Sequence, residues 1–212
     1  IIALLGKPPY EQHINTINDY SMYLIIGAYE YYYATGDKQF IQVYYPRLKA
    51  LYDFIEGRTN EAGYVCQRPG DWIFIDWSDM DKGGDLCAEQ ILFWQCRNAM
   101  ASLSELVGLD GDGYRKAAEK LKRNIMRDFW REDRGGFVDC YTTGKESITR
   151  HANIFAIMYD FVTEKRARKI TRMVLENDAI TQITTPYFEF FELCALGKMG
   201  KLSAVQKKIE SY

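Results

Sequence analysis

The chain is short of proline, of histidine and of net charge, and each shortage excludes something. Five prolines in 212 residues leave room for long uninterrupted helices, because an interior proline removes a backbone donor. Two histidines are too few for a multi-histidine metal site, and no metal or other cofactor is expected. The 27 Lys and Arg against 29 Asp and Glu leave a formal charge of −2, so the basic surface that a nucleic-acid partner requires is missing. No apolar run approaches the roughly 18 residues of a membrane span, so no membrane partner is expected either. The five cysteines (Cys66, Cys87, Cys96, Cys140 and Cys194) are odd in number and never spaced CxxC. That argues against a disulfide framework or zinc site and for reduced, mostly buried thiols. Walker and dinucleotide glycine motifs, GxSxG and HExxH are also missing. There is no signal-peptide pattern. The chain begins Ile1-Ile2 rather than Met, which fits an internal piece of something longer, and no compartment follows from it.

Aromatic residues are plentiful at 15%, with 16 Tyr, 11 Phe and 4 Trp. They can serve a large core or a pocket that stacks flat ligands and sugars. A hydrophobic content of 47% against 26% charged residues describes a folded globular chain, and residues 1–212 are read as a single domain.

Two kinds of helix alternate. The first is apolar nearly all round, over residues 19–34, 85–106, 152–162 and 187–197, and such helices bury several sides. The second carries one apolar stripe opposite a charged face. In 112–130, Tyr114, Ala117, Ala118, Leu121, Ile125 and Phe129 recur at the helical period, with Arg115, Lys116, Glu119, Lys120, Lys122 and Arg123 opposite. Residues 164–176 and 200–210 repeat the pattern. So does Asp37 to Ile55, where Pro46 is expected to open the main helix. Short turns at Thr35-Gly36-Asp37, 108–111, Thr163 and 197–200 join each inner helix to its outer partner. Longer connections at about 57–84, 131–150 and 177–186 lead back. Four αα-hairpins in two layers follow, with every long loop at the end where the inner helices begin. Irregular loops on one face favour a closed toroid carrying a site over a regular solenoid.

The richest of those loops, 57–84, holds Asp71-Trp72 and Asp76-Trp77, then Asp79 and Asp81. Sugar sites pair carboxylates, which accept hydroxyl hydrogen bonds, with aromatic faces that stack on C–H surfaces. The competing reading is a buried Trp anchor with loop-capping Asp residues. Asp79-x-Asp81-x-Gly83 lacks the rest of a calcium loop. His151 and Asn153 start the third inner helix on one face, Tyr187 starts the fourth after Thr184-Thr185-Pro186, and Asn18-Asp19 start the first. His151 can orient a hydroxyl, act as acid or base, or be structural.

These residues carry a resemblance. Asn18-Asp19, the run Tyr31-Tyr32-Tyr33-Ala34-Thr35-Gly36-Asp37, Tyr45-Pro46-Arg47-Leu48-Lys49 and Gly70-Asp71-Trp72 belong to it. So do His151-Ala152-Asn153, Thr185-Pro186-Tyr187-Phe188, Ala195-Leu196 and Met199-Gly200. Together, and in that order, they resemble the bacterial α-L-rhamnosidases, the family 78 glycoside hydrolases. The resemblance implies an all-α fold, an (α/α)6 toroid of six-hairpin glycosidase type, of which about four hairpins are here. It implies an inverting two-carboxylate removal of terminal α-L-rhamnose from a glycan or glycoside. Both catalytic glutamates would lie outside residues 1–212, on the rest of the polypeptide that completes the barrel, so the isolated chain is expected to be inactive. Trp72 matches an aromatic that packs against the sugar, with Asp71 beside it. Asp19, Asp76, Trp77, His151 and Tyr187 are further substrate-binding candidates. Ile17 and Asn18 stand where the family often carries a Trp. Rival readings are another (α/α)6 carbohydrate enzyme (trehalase-, glucosidase- or debranching-like) and a non-catalytic helical scaffold that binds protein.

Overall fold

A computed structural model describes residues 17–68 and 71–211. His13 and Gly70 therefore lie outside the described residues. The elements in chain order are α1 (Asn18–Thr35), α2 (Lys38–Glu56), α3 (Cys87–Leu106), α4 (Asp112–Asp128), β1 (Trp130–Arg131), β2 (Gly136–Phe137), α5 (Arg150–Met158), α6 (Glu164–Ile170), α7 (Pro186–Lys198) and α8 (Leu202–Glu210). A π-helical turn, Thr171–Leu175, continues α6. The helices pair as the hairpins α1–α2, α3–α4, α5–α6 and α7–α8. The sequence pattern did not reveal the two-residue ribbon in which Trp130 and Arg131 pair antiparallel with Phe137 and Gly136.

Local chemistry explains the turns. Gly36 ends α1 in the left-handed region at φ 71, and its N–H returns to the Tyr32 carbonyl at 2.7 Å. Asp37 then caps α2, its carboxylate accepting from the Phe40 N–H at 2.9 Å. Because that cap begins α2 at Lys38, Pro46 lies inside the helix rather than at its start. The departure is tolerated because Gln42, whose carbonyl loses the Pro46 N–H partner, is solvent-exposed, as is Pro46 itself. In the α3–α4 turn, a Cβ at Gly111 would sit 2.6 Å from the Ala101 carbonyl oxygen, so only glycine lets the turn close on α3.

The chain divides into two compact units, one running to Phe74 and including Leu92–Leu121, the other comprising Ile75–Ile91 and Lys122 onward. In the first unit, Met22, Ile25, Ile41 and Ile55 are fully buried, as are Phe93, Met100, Leu103, Ala118 and Leu121. Each large apolar side chain so buried contributes about 1.5–3 kcal/mol. Tyr45 and Ser104 share a buried hydroxyl hydrogen bond at 2.8 Å. Arg97, 3% exposed, lies on the Phe93 ring and pairs with Glu56, which also accepts from the Tyr52 hydroxyl. The helix α1 is less enclosed than its sequence suggests. Met22, Ile25 and Ile26 are buried, whereas Tyr20, Leu24 and Tyr31 stay exposed, Tyr31 resting on Phe40 of α2 with ring centroids 4.7 Å apart.

The second unit is built on phenylalanine. Phe129, Phe137, Phe155, Phe161 and Phe188 are all fully buried. They meet at offset or edge geometries, Phe155 lying 5.1 Å from Phe188 and Phe137 lying 5.8 Å from Phe161. Here α5 is buried along nearly its whole length and packs on α7. A fully buried ion pair, Arg150 to Glu192 at 2.5 Å, ties the two helices, and Lys208 of α8 reaches the same carboxylate at 2.9 Å.

Candidate functional site

In the second unit, connections distant in sequence meet at the starts of α3, α5 and α7. Asp76 is 2% exposed. Its Oδ2 lies 3.0 Å from His151 Nε2, and its Oδ1 accepts the Thr185 hydroxyl at 2.6 Å. Thr185 is the N-cap of α7, where its hydroxyl oxygen also receives the Phe188 N–H at 3.3 Å. On the far side of the ring, His151 Nδ1 lies 3.0 Å from Thr149 Oγ1, which donates to Asp139 Oδ1 at 2.8 Å. Thr149 occupies the N-cap of α5 but makes no side-chain cap bond, because its hydroxyl is spent on this chain of contacts. The His151 ring also rests on Phe188, centroids 4.4 Å apart.

Burial opposes ionisation of Asp76, but the hydrogen bonds from His151 and Thr185 and the nearby imidazole outweigh it and hold the carboxyl below its ordinary range. For Asp139 burial wins over the Thr149 hydrogen bonds, and its carboxyl titrates above the ordinary range. Ile75, fully buried, sits at φ 48, a left-handed conformation costly for a β-branched residue. The strain falls next to Asp76, whose hydrogen bonds hold the backbone there. Trp77, the following residue, is 69% exposed.

The other candidates are placed as follows. Asp71, in the first unit, is bound to Arg58 at 2.5 Å and also accepts the Arg68 N–H at 2.9 Å. The adjacent Trp72 is 42% exposed and lies edge-on to Phe74 at 5.5 Å, and Phe74 also meets the Tyr20 ring at 5.9 Å. Asp19 is buried in the first turn of α1. Tyr187, in the second unit, is half-buried, with its ring edge-on to Phe191 at 5.6 Å. Asn153 is occupied in holding β2: its amide brackets the Phe137 N–H and carbonyl and also donates to the Thr149 carbonyl. Asp81 is locked by Thr143, Lys145 and the Gly83 N–H. Among the described residues no group of three or more His, Cys, Asp or Glu could hold a metal ion. A cavity of about 570 Å³ in the second unit is lined by Leu175, Ile183, Glu189 and Lys208 among others, and by none of the candidates.

Asp139 and Thr149 escaped the sequence reading altogether, and Thr185 figured there only as part of a motif. None stands in a recognisable catalytic spacing; the one signal was that Thr149 lies two residues before His151, at the start of a helix.

The family model described as the bacterial α-L-rhamnosidase six-hairpin glycosidase domain matches residues 6–185. The chain belongs to that family. Among solved structures, a rhamnosidase from Klebsiella oxytoca with rhamnose bound aligns with a TM-score of 0.78 at 21% identity, over 92% of this chain and 37% of that one. The family 78 rhamnosidase of Bacillus sp. GL1 aligns with a TM-score of 0.83 at 20% identity, over 93% of this chain and 21% of that one. The chain thus spans well under half the length of either. No curated protein matches it. The family places the four hairpins in a six-hairpin glycosidase fold, of which this chain is a part.

Proposed function

We propose that the chain is the middle of the catalytic domain of an enzyme that removes terminal α-L-rhamnose by an inverting two-carboxylate mechanism. One carboxylic acid protonates the leaving oxygen while a carboxylate across the ring activates water, and both come from parts of the polypeptide other than residues 1–212. Membership of the rhamnosidase family over residues 6–185 carries this reading. In the second unit, Trp77 offers the exposed face on which sugar C–H groups stack, and His151 and Tyr187 stand at helix starts nearby in sequence to the Thr149 and Thr185 caps. Asp76 positions rather than transfers protons, since both its oxygens accept hydrogen bonds that favour the ionised form. In the first unit, Trp72 is a sugar contact in its own right, Asp71 fixes the backbone beside it through Arg58, and Asp19 is as buried as Asp76 and His151.

Titration of the 212-residue chain with L-rhamnose, read by tryptophan fluorescence, is expected to saturate, and D-glucose to give no comparable response. Trp77→Ala or Trp72→Ala should weaken L-rhamnose binding tenfold or more. With the flanking segments present, an aryl α-L-rhamnoside should be hydrolysed with inversion at the anomeric carbon. No rhamnose response together with no hydrolysis would overturn the reading. Turnover by residues 1–212 alone would overturn the placement of the catalytic carboxylates.

A further inference from the structure

We infer that Asp139 is a positioning residue for Asp76 and Trp77, acting through Thr149 and His151, and that this relay holds one proton in common between His151 and Asp139. The available hydrogens decide it. Asp76 accepts on both oxygens, from Thr185 at Oδ1 and from His151 at Oδ2, so His151 Nε2 donates. The single Thr149 hydroxyl hydrogen goes to Asp139 Oδ1, which also takes the Thr149 N–H at 3.0 Å. Toward His151 the Thr149 oxygen can then only accept, so Nδ1 donates as well and the ring carries two protons. The alternative places that proton on Asp139, reverses Thr149, and leaves Nδ1 as acceptor. Both arrangements contain the same number of protons. Removing it leaves two buried carboxylates beside a neutral ring, with the Thr149 oxygen facing a nitrogen lone pair across 3.0 Å.

Other charged groups around the relay are already engaged. From the 76–86 connection, Lys82 donates to the Asp76 carbonyl at 3.2 Å, and Asp81, whose N–H faces Asp139 Oδ2 at 3.4 Å, is held by Thr143 and Lys145. From α3, Cys87 gives its N–H to the Asp139 carbonyl, and burial keeps its thiol un-ionised. The α7 side presents Thr185 and the Phe188 ring, neither of which titrates. The relay thereby clamps Asp76 beside the strained Ile75 and fixes the direction in which Trp77 leaves the backbone. Its functional consequence rests on the reading of Trp77 as a sugar contact; the proton count does not.

The test uses the 212-residue chain with His13→Gln, which leaves His151 as its one imidazole. Long-range proton–nitrogen NMR of the ring and carbon NMR of the Asp139 carboxyl at pH 7 should find one shared proton, on the ring or on Asp139. A bare ring nitrogen together with an ionised Asp139 overturns the proposal. Thr149→Val cuts the relay and Thr149→Ser keeps it. The valine chain should lose the shared proton at a pH lower by at least about one unit and shift the Trp77 indole resonance, and serine should restore both. A folded valine chain with neither change overturns the role of Asp139. If the valine chain does not fold, the proton count in the unsubstituted relay and in Thr149→Ser decides. Failure of L-rhamnose to bind, with the proton count as expected, sinks the sugar reading and leaves the relay standing.

Discussion

Replacing Asp76 by alanine tests whether the junction at the starts of α5 and α7 is structural machinery as well as a candidate site. The substitution removes two charge-assisted hydrogen bonds, at 3.0 and 2.6 Å, each worth roughly 1.5–3 kcal/mol. It strands His151, 2% exposed, without the acceptor for its Nε2. Relaxation of the Ile75 backbone would return about 1–3 kcal/mol. The expected net loss is about 3–5 kcal/mol, the range seen when one partner of a buried charged pair is removed. For a chain of this size that lowers Tm by on the order of 10 °C. Thermal and urea unfolding followed by circular dichroism measure it. Trp77→Ala is the internal control: its side chain is mostly in water, and its stability should stay within about 0.5 kcal/mol of the unsubstituted chain. A loss below about 1 kcal/mol for Asp76→Ala, or equal losses for the two variants, would refute the reasoning.

Three further outcomes are expected. The stability difference between the unsubstituted chain and Asp76→Asn should be full above about pH 4 and shrink as pH falls below it. The sign follows because the folded-state carboxyl titrates below its unfolded value, so its stabilisation is lost as acid protonates it; a difference constant from pH 6 to pH 3 would contradict this. Gly111→Ala pushes a Cβ against the Ala101 backbone oxygen, which cannot rotate aside, and should cost about 1–3 kcal/mol in urea unfolding, whereas Gly113→Ala, with open space at its Cβ, should not. Glu192→Ala leaves Arg150 charged and buried and should cost about 3–5 kcal/mol by the same assay, with Glu189→Ala, on the partly exposed Lys208, costing less.

Much of the architecture could be read from periodicity. The stripe from Tyr114 to Phe129 places α4, and the stretch 152–162, apolar nearly all round, places α5, because one-sided and all-round burial leave different residue patterns. Turn chemistry was equally local: Gly36 and Asp37 end one helix and cap the next within two residues. Pro46 misled because its effect depends on whether Gln42 can reach water, which local sequence does not state.

The site was legible only as a set of residue types. Asp71-Trp72 and Asp76-Trp77 are the same dipeptide in one loop, and nothing in their neighbourhood separates them. Tertiary structure gives Asp71 to Arg58, 13 residues away, and gives Asp76 to His151 and Thr185, 75 and 109 residues away. Helix period, turn residues and family are properties of short windows, so the chain declares them by itself. The state of a buried carboxylate depends on which donors folding brings to it from remote segments, and that is decided only when α5 and α7 pack together and their first turns converge on Asp76.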